Sequence, residues 1–271
     1  MIGSRTSVSS LDLPSVYPYR TLKRPIDHQK KGIFVAEGEK VVRRLLESKL
    51  CVISLLLTPE WFSIYEPVVK SRTEQIEIFI ADKLLLEQIV GIRLHQGIMA
   101  VAKNPVSLSL DEILSKSSRP FFFVALDGVA NAENLGVIVR NCVSFGVQAL
   151  IVGETSADPY LRRAVRNSMG TIFKLPVFYA KNLPEDVLSL KKKGVYIVAA
   201  DPAPGGAVLY SNDFLKDCCI VFGSEGDGIS KPVLEVCDES VTIPMYAEVD
   251  SLNVANASAV FLYEVMKQRT S

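Results

Sequence analysis

Long apolar runs are missing from this 271-residue chain. Nothing in it reaches the ~18 to 20 consecutive apolar residues that cross a bilayer. The opening stretch, MIGSRTSVSSLDLPS, also lacks the unbroken apolar segment of a secretory signal. The expected location is therefore the cytoplasm, with no membrane partner. Metal-binding side chains are scarce. There are two histidines, His28 and His95, and five scattered cysteines, Cys51, Cys142, Cys218, Cys219 and Cys237, with no CxxC pair. No metal is expected from that spacing. The cysteines read as small core residues in a reducing compartment, and the histidines as surface or hydrogen-bonded structural groups. Net charge is absent too: 30 basic side chains balance 30 acidic ones. A histone-like nucleic-acid coat, which binds through bulk positive charge, is excluded, although a local basic face is not. Neither a G-x-G-x-x-G fingerprint nor a Gly-Lys-Ser/Thr phosphate loop occurs, and no fixed-period repeat or low-complexity tract is visible.

What is present is apolar material in short pieces. The chain is 48% hydrophobic and 22% charged, with a mean hydropathy of +0.24, enough for a large core and against disorder as the main state. At ~150 residues per domain the length suggests two domains. In the first hundred residues, 37–48 and 83–90 have helical periodicity, while 52–58, 76–80 and 97–102 read as strands. Residues 104–120 turn polar around Asn104-Pro105 and Arg119-Pro120, as in a linker carrying one short helix. The expected organisation is a small α/β domain over 1–103, the linker, and a second domain over 121–271. In that second half, 121–126, 149–152, 195–200 and 219–222 are nearly continuous apolar runs separated by helical patterns at 135–145 and 183–193. Such runs are strands covered on both faces, so a parallel sheet of βα units is expected. Ligands bind such sheets outside the carboxyl ends of the strands, which directs attention to the segments just after the runs.

Three of those segments stand out. After FFFVAL comes DGVANAENLGVIVR, where Asn134 is suited to cap a helix starting near Leu135. Leu135, Ile138, Val139 and Cys142 form the apolar stripe of that helix, and Arg140 points away from it. A guanidinium there can hold a phosphate or carboxylate through paired hydrogen bonds, or it is an ordinary solvated helix residue. The second segment, Gly223-Ser224-Glu225-Gly226-Asp227-Gly228, lets the backbone turn sharply and approach a ligand closely, or is a simple turn. The third runs through Ile243-Pro244-Met245 to Ser251-Leu252-Asn253 and a small-residue stretch to Ala259. Ser251 and Asn253 suit a helix start there, and the small residues suit close packing.

In this order the three segments resemble the signatures of the SpoU (TrmH-like) family of RNA 2'-O-ribose methyltransferases, in the SPOUT superfamily. Asn134, Gly136 and Arg140 fall on the first signature, Gly223, Glu225 and Gly226 on the second, and Ile243-Pro244-Met245 with Ser251-Leu252-Asn253 on the third. Phe34-Val35-Ala36-Glu37-Gly38 and His95-Gln96-Gly97-Ile98 look like the family's small substrate-binding domain, so the resemblance covers nearly the whole chain. Two positions depart from it. Asn131-Ala132 stands where the family commonly has Asp-Pro, losing a rigid turn, and Asn256 interrupts the usual small residues.

The resemblance implies a C-terminal parallel sheet threaded into a deep trefoil knot, against the usual rule that chains do not knot. It implies S-adenosylmethionine as cofactor, held largely by backbone groups and lined by Gly223, Ile243 and Leu252. The implied reaction is methyl transfer to a ribose 2'-hydroxyl of structured RNA, with ribosomal RNA favoured. Transfer RNA, or a non-catalytic RNA-binding or ribosome-assembly role, is the alternative. Arg140 is implied to bind the phosphate beside the target ribose, and it or that phosphate to help remove the proton. Because an arginine pKa lies above about 12, the phosphate is the physically easier base. Asn134 would orient Arg140 and its loop, Glu225 would fix the glycine loop, and Ser251 and Asn253 would position cofactor or ribose. A homodimer through the C-terminal domain, with the apolar helix at 254–266 buried in it, is also implied. RNA contacts are expected from residues 1–50, with ten basic against five acidic side chains, including Arg24, Lys30 and Lys31. A second cluster is Arg162, Arg163, Arg166 and Lys174. A charge run is otherwise just a solvated face.

Overall fold

The computed structural model describes residues 2–10, 12–22, 25–90, 97–202, 206–246 and 251–270. Arg24 and His95 lie outside the described residues. The elements run in chain order as β1 (Ile2–Ser7), α1 (Tyr17–Arg20), α2 (Pro25–Lys30), β2 (Ile33–Glu37), α3 (Glu39–Glu47), β3 (Val52–Leu57), α4 (Pro59–Ser71), β4 (Ile76–Ile80), α5 (Lys83–Val90) and β5 (Ile98–Lys103). They continue as α6 (Leu110–Lys116), β6 (Phe122–Leu126), α7 (Ala132–Ser144), β7 (Ala149–Val152), α8 (Arg162–Asn167), β8 (Val177–Tyr179) and α9 (Leu183–Lys192). The last are β9 (Tyr196–Ala200), β10 (Ala207–Val208), β11 (Cys218–Phe222), α10 (Lys231–Leu234), β12 (Glu239–Thr242) and α11 (Val254–Thr270). Among the described residues no helix is long and apolar enough to cross a membrane.

The chain divides into two compact units: Met1–Val106 with Tyr160–Phe173, and Ser107–Pro159 with Lys174–Ser271. The first unit is a mixed sheet in the order β1-β4-β3-β5-β2, in which β5 runs antiparallel to both its neighbours. Its edge strand β1 has no counterpart in the apolar pattern, because five of its six residues are exposed. Residues 160–173 pack here although sequence order puts them after β7. The Phe34 ring of β2 lies 5.2 Å from Tyr160 and 5.6 Å from Phe173, and Arg44 donates to the Met169 carbonyl at 2.6 Å. Continuous domain ranges along the chain miss this excursion, which depends on non-local aromatic packing.

The second unit holds seven strands in the order β10-β12-β9-β11-β6-β7-β8, every pairing parallel. The β6, β7 and β11 strands are buried at every position, as helices on both faces require. One face packs Phe123, Ala125, Val221 and Ile197 against Leu183, Val187 and Leu190 of α9 and Val233 of α10. Toward the other face, Phe222 meets Phe261 of α11 edge to face at 5.8 Å. Helices α7 and α11 are joined by Asn141, whose amide donates to the Ala255 carbonyl at 3.0 Å and to the Ser258 hydroxyl at 2.9 Å. The polar stretch at 104–120 is less a free linker than a tether. Its helix α6 is closed by a Ser109–Glu112 capping box, Ile113 is buried in the second unit's core, and Asp217 receives Arg119 and the Phe121 N–H.

Strand order reverses at the β11-β6 pair, since the chain builds outward from β6 through β7 and β8 and returns to place β11, β9 and β12 on the other side. The carboxyl ends of β6 and β11 are therefore where successive loops diverge, the position at which open α/β sheets bind ligands.

Candidate functional site

The loop leaving β6 is tied down from its first residue. Asp127 donates its N–H to the Phe222 carbonyl at 2.9 Å and accepts the Ser230 N–H at 2.7 Å through its carboxylate. Helix α7 then starts at Ala132, and its N-cap is Asn131, not Asn134 as expected. The Asn131 Oδ1 accepts the backbone N–H groups of Glu133 and Asn134 at 2.8 and 3.2 Å. The departure from Asp-Pro therefore replaces one way of fixing the helix start with another, and it frees the Asn134 side chain to point elsewhere.

The loop after β11 closes on itself. Ser224 and Gly228 exchange backbone hydrogen bonds at 2.9 and 3.2 Å, with Gly228 at φ +70°. Gly223 is required for packing: a Cβ there would collide with the backbone of Gly228 and Ile229. Gly226 has open space around it.

The third loop delivers Asn253, whose Oδ1 accepts the Ala255 N–H at 2.9 Å and so caps α11. Its amide nitrogen is left to donate to Glu225 Oε1 at 2.5 Å and to Asn134 Oδ1 at 3.3 Å. Asn134 also donates to the same Glu225 oxygen. One carboxylate oxygen thus gathers two amides, and each of the three side chains comes from a different loop. Bonds of this charge-assisted kind are about twice as strong as neutral ones, so the triad fixes the three loops relative to one another.

Beside the triad lies a cavity of about 400 Å³, inside the range of small-molecule sites, ~300 to 1,000 Å³. Its wall includes Gly223, Glu225, Ile243, Met245, Ser251, Leu252 and Asn253, all in the segments singled out above, together with Asp201, Pro202, Phe222 and Phe261, which were not named as site residues. Asp201 follows β9 directly, so the rule that ligands gather after buried strands pointed to its neighbourhood without singling it out. Apolar and aromatic side chains, a close backbone approach at Gly223 and two carboxylates suit a flat, polar-edged and positively charged ligand. Among the described residues no cluster of histidine, cysteine, aspartate and glutamate could hold a metal ion.

The remaining candidates sit apart. Arg140 is exposed on α7, has no side-chain partner among the described residues and does not line the cavity. Arg162 and Arg166 belong to the first unit. There Arg162 is held by Glu37 at 2.6 Å and is mostly buried, while Arg166 reaches the same carboxylate at 3.9 Å and is exposed. Arg163 and Lys30 are exposed, and exposed Lys31 lies over the Tyr17 ring at 4.8 Å. His28 is buried and bonded to the Thr21 hydroxyl at 2.9 Å, a structural position.

Comparison with known proteins adds the following. The profile of the SpoU rRNA Methylase family matches residues 122–263. An uncharacterized tRNA/rRNA methyltransferase of Mycobacterium bovis is 30% identical over 263 residues, covering 93% of this chain and 88% of that protein. The 23S rRNA (guanosine-2'-O-)-methyltransferase RlmB of Shewanella oneidensis is 34% identical over 197 residues, covering 72% and 79%. Among solved structures, the SpoU methyltransferase AviRb of Streptomyces viridochromogenes in complex with AdoMet superposes with a TM-score of 0.80. That match has 25% identity and covers 94% of this chain and 97% of that one.

Proposed function

The chain belongs to the SpoU rRNA Methylase family, and on that premise we propose that it methylates the 2'-hydroxyl of a ribose in ribosomal RNA, using S-adenosylmethionine bound in the cavity. The observation that carries this reading is the meeting of Asn134, Glu225 and Asn253 at the rim of that cavity. Three loops far apart in sequence are thereby held together beside a cavity of ligand size, where a reactive geometry would have to be kept.

Bound in the cavity, the cofactor would supply an electrophilic methyl group on a sulfonium. Gly223, Ile243 and Leu252 form the wall that would hold it. Glu225 and the two asparagines keep that wall fixed, and Ser251, beside Asn253, offers its hydroxyl to the reacting ribose. Among the described residues no histidine or lysine stands in the cavity wall as a base. Arg140, exposed and without a side-chain partner among the described residues, is suited to grip the phosphate next to the target ribose. That phosphate then takes the hydroxyl proton, since the guanidinium is already protonated and has no lone pair to accept it.

The same reading includes a trefoil-knotted second unit, RNA contacts from Arg24, Lys30, Lys31, Arg163 and Arg166, and a homodimer formed through the second unit. In favour of the homodimer, α11 buries Phe261, Leu262 and Val265 and leaves the apolar Val260 and Tyr263 exposed, 41% and 52% accessible. A cytoplasmic location follows from the substrate. Ribosomal over transfer RNA is favoured by the named relative RlmB.

The test is methyl transfer to in-vitro-transcribed large-subunit rRNA by the wild type, Arg140→Ala and Arg140→Lys. Loss of at least a hundredfold in the alanine variant, with cofactor binding retained, supports the assignment. Near-wild-type turnover in both variants refutes it.

A further inference from the structure

Asn134 and Asn141 stand seven residues apart on α7, close to two helical turns, so they share one stripe of the helix about 10 Å apart. Both meet the start of α11. Asn134 does so through the triad, where it accepts from the Asn253 amide at 3.3 Å and shares Glu225 Oε1 with it. Half-buried Asn141 does so directly, donating to the Ala255 carbonyl at 3.0 Å and to the Ser258 hydroxyl at 2.9 Å. A planar amide with two N–H groups can serve both acceptors at once. Ser258 is fully buried, and its own hydroxyl donates to the Ala255 carbonyl at 2.7 Å. The two helices are therefore pinned at two points. A single pin leaves rotation to apolar contacts, which are non-directional. Arg140 lies between the pins, one residue before Asn141 and exposed.

Resting on the reading of Arg140 as the phosphate grip, we propose that Asn141 is a positioning residue for methyl transfer. It fixes the rotation of α7 against α11 and so sets where the Arg140 guanidinium stands relative to the cavity. The cavity wall moves with α11, which contributes Val254, Ala257 and Phe261, whereas Arg140 rides on α7. Turning one helix against the other shifts the phosphate grip away from the methyl donor's site, and a misplacement of about 1 Å can cost about a hundredfold in rate. Removing the Asn141 amide strands no polar group, because the Ser258 hydroxyl and the Ala255 carbonyl keep each other. Its loss is felt in alignment more than in stability.

The experiment compares wild type, Asn141→Ala, Asn141→Asp, Arg140→Ala and the double variant Arg140→Ala/Asn141→Ala in steady-state methyl transfer to a large-subunit rRNA transcript. Titration with S-adenosylmethionine and thermal unfolding run alongside. Asn141→Asp keeps the volume and removes both donors. Each Asn141 variant is expected to lose about tenfold in kcat/KM, with the cofactor Kd changed less than about threefold and the unfolding temperature lowered by no more than about 5 °C. In the Arg140→Ala background, Asn141→Ala costs less than about twofold in kcat/KM, yet lowers the unfolding temperature as it does in the wild type. Equal losses of kcat/KM in both backgrounds overturn the proposal in favour of a merely structural role. A cofactor Kd that rises in step with the loss, or wild-type kcat/KM in Asn141→Asp, also overturns it. If the Asn141 variants do not fold, Ser258→Ala, which takes away one acceptor, carries the same comparison. A loss of about threefold that vanishes in Arg140→Ala supports the proposal, and no loss or equal losses overturn it. If the wild type transfers no methyl group, or Arg140→Ala keeps its turnover, the reading of the site has failed and the proposal with it, an outcome recognisable without any Asn141 variant.

Discussion

Replacing Glu225 tests whether the triad is part of the catalytic machinery. Its Oε1 accepts the amides of both Asn134 and Asn253, so Glu225→Ala removes two charge-assisted hydrogen bonds at once. Net values for bonds to charged groups are about 1.5 to 3 kcal/mol each, and solvent exposure of Glu225 takes this pair to the lower end. A combined loss of about 3 kcal/mol in holding the reactive geometry corresponds to a fall in kcat/KM of roughly a hundredfold. Glu225→Gln keeps an acceptor oxygen without the charge, so its loss is smaller, about tenfold. Because the three side chains act as a unit, Asn134→Ala and Asn253→Ala combined on Glu225→Ala add little to the single loss. The assay is initial-rate transfer of labelled methyl to an rRNA transcript, with cofactor affinity measured in parallel and thermal unfolding as the folding control. Wild-type kcat/KM in both Glu225 variants, or full additivity across the three positions, refutes the reasoning.

Other consequences follow from individual positions. Gly223→Ala forces a Cβ into the Gly228 backbone and lowers both the unfolding temperature and cofactor affinity, the latter by more than about tenfold, whereas Gly226→Ala, with open space around it, leaves the unfolding temperature unchanged. Burial pushes the Cys142 and Cys219 thiols well up, Cys218 to about 11 and Cys237 to about 12. Exposed Cys51 is therefore the one thiol that reacts rapidly with an aromatic disulfide reagent at pH 8, and the other four report only after unfolding. Burial also holds the His28 imidazole below its ordinary value. The folded state therefore binds this proton less readily than the unfolded chain. The His28 contribution to stability is present above about pH 6.5 and is lost as pH falls below it. Urea midpoints of wild type and His28→Gln, compared from pH 7.5 to 5, diverge accordingly, and parallel curves contradict this.

Much of the second unit could be read along the chain because its strands are buried on both faces and so appear as unbroken apolar runs, as in FFFVAL and VYIVAA. The helix stripe Leu135, Ile138, Val139 and Cys142 is buried as its spacing implies. Elements with little apolar content were not legible. Strand β1 is exposed almost throughout, and β10 is only two residues long. Local capping misled in one place, where two asparagines three apart competed for the same helix start and Asn131 took it. Residues 160–173 join the first unit through partners more than a hundred positions away, such as Glu37 for Arg162, and no periodicity carries such information. At the site, the three loops were each visible as sequence, but their convergence on one Glu225 oxygen is a property of strand order. Asp201 was hidden for the opposite reason: a single carboxylate after a strand has no pattern to mark it until the cavity shows what it lines.

The most direct test of the account is to incubate the protein with unmodified large-subunit rRNA and labelled S-adenosylmethionine, then map the product. The account predicts label on the 2'-oxygen of a defined ribose, lost in Arg140→Ala while the cofactor still binds. Label on a base, or cofactor binding with no transfer to rRNA, would contradict it.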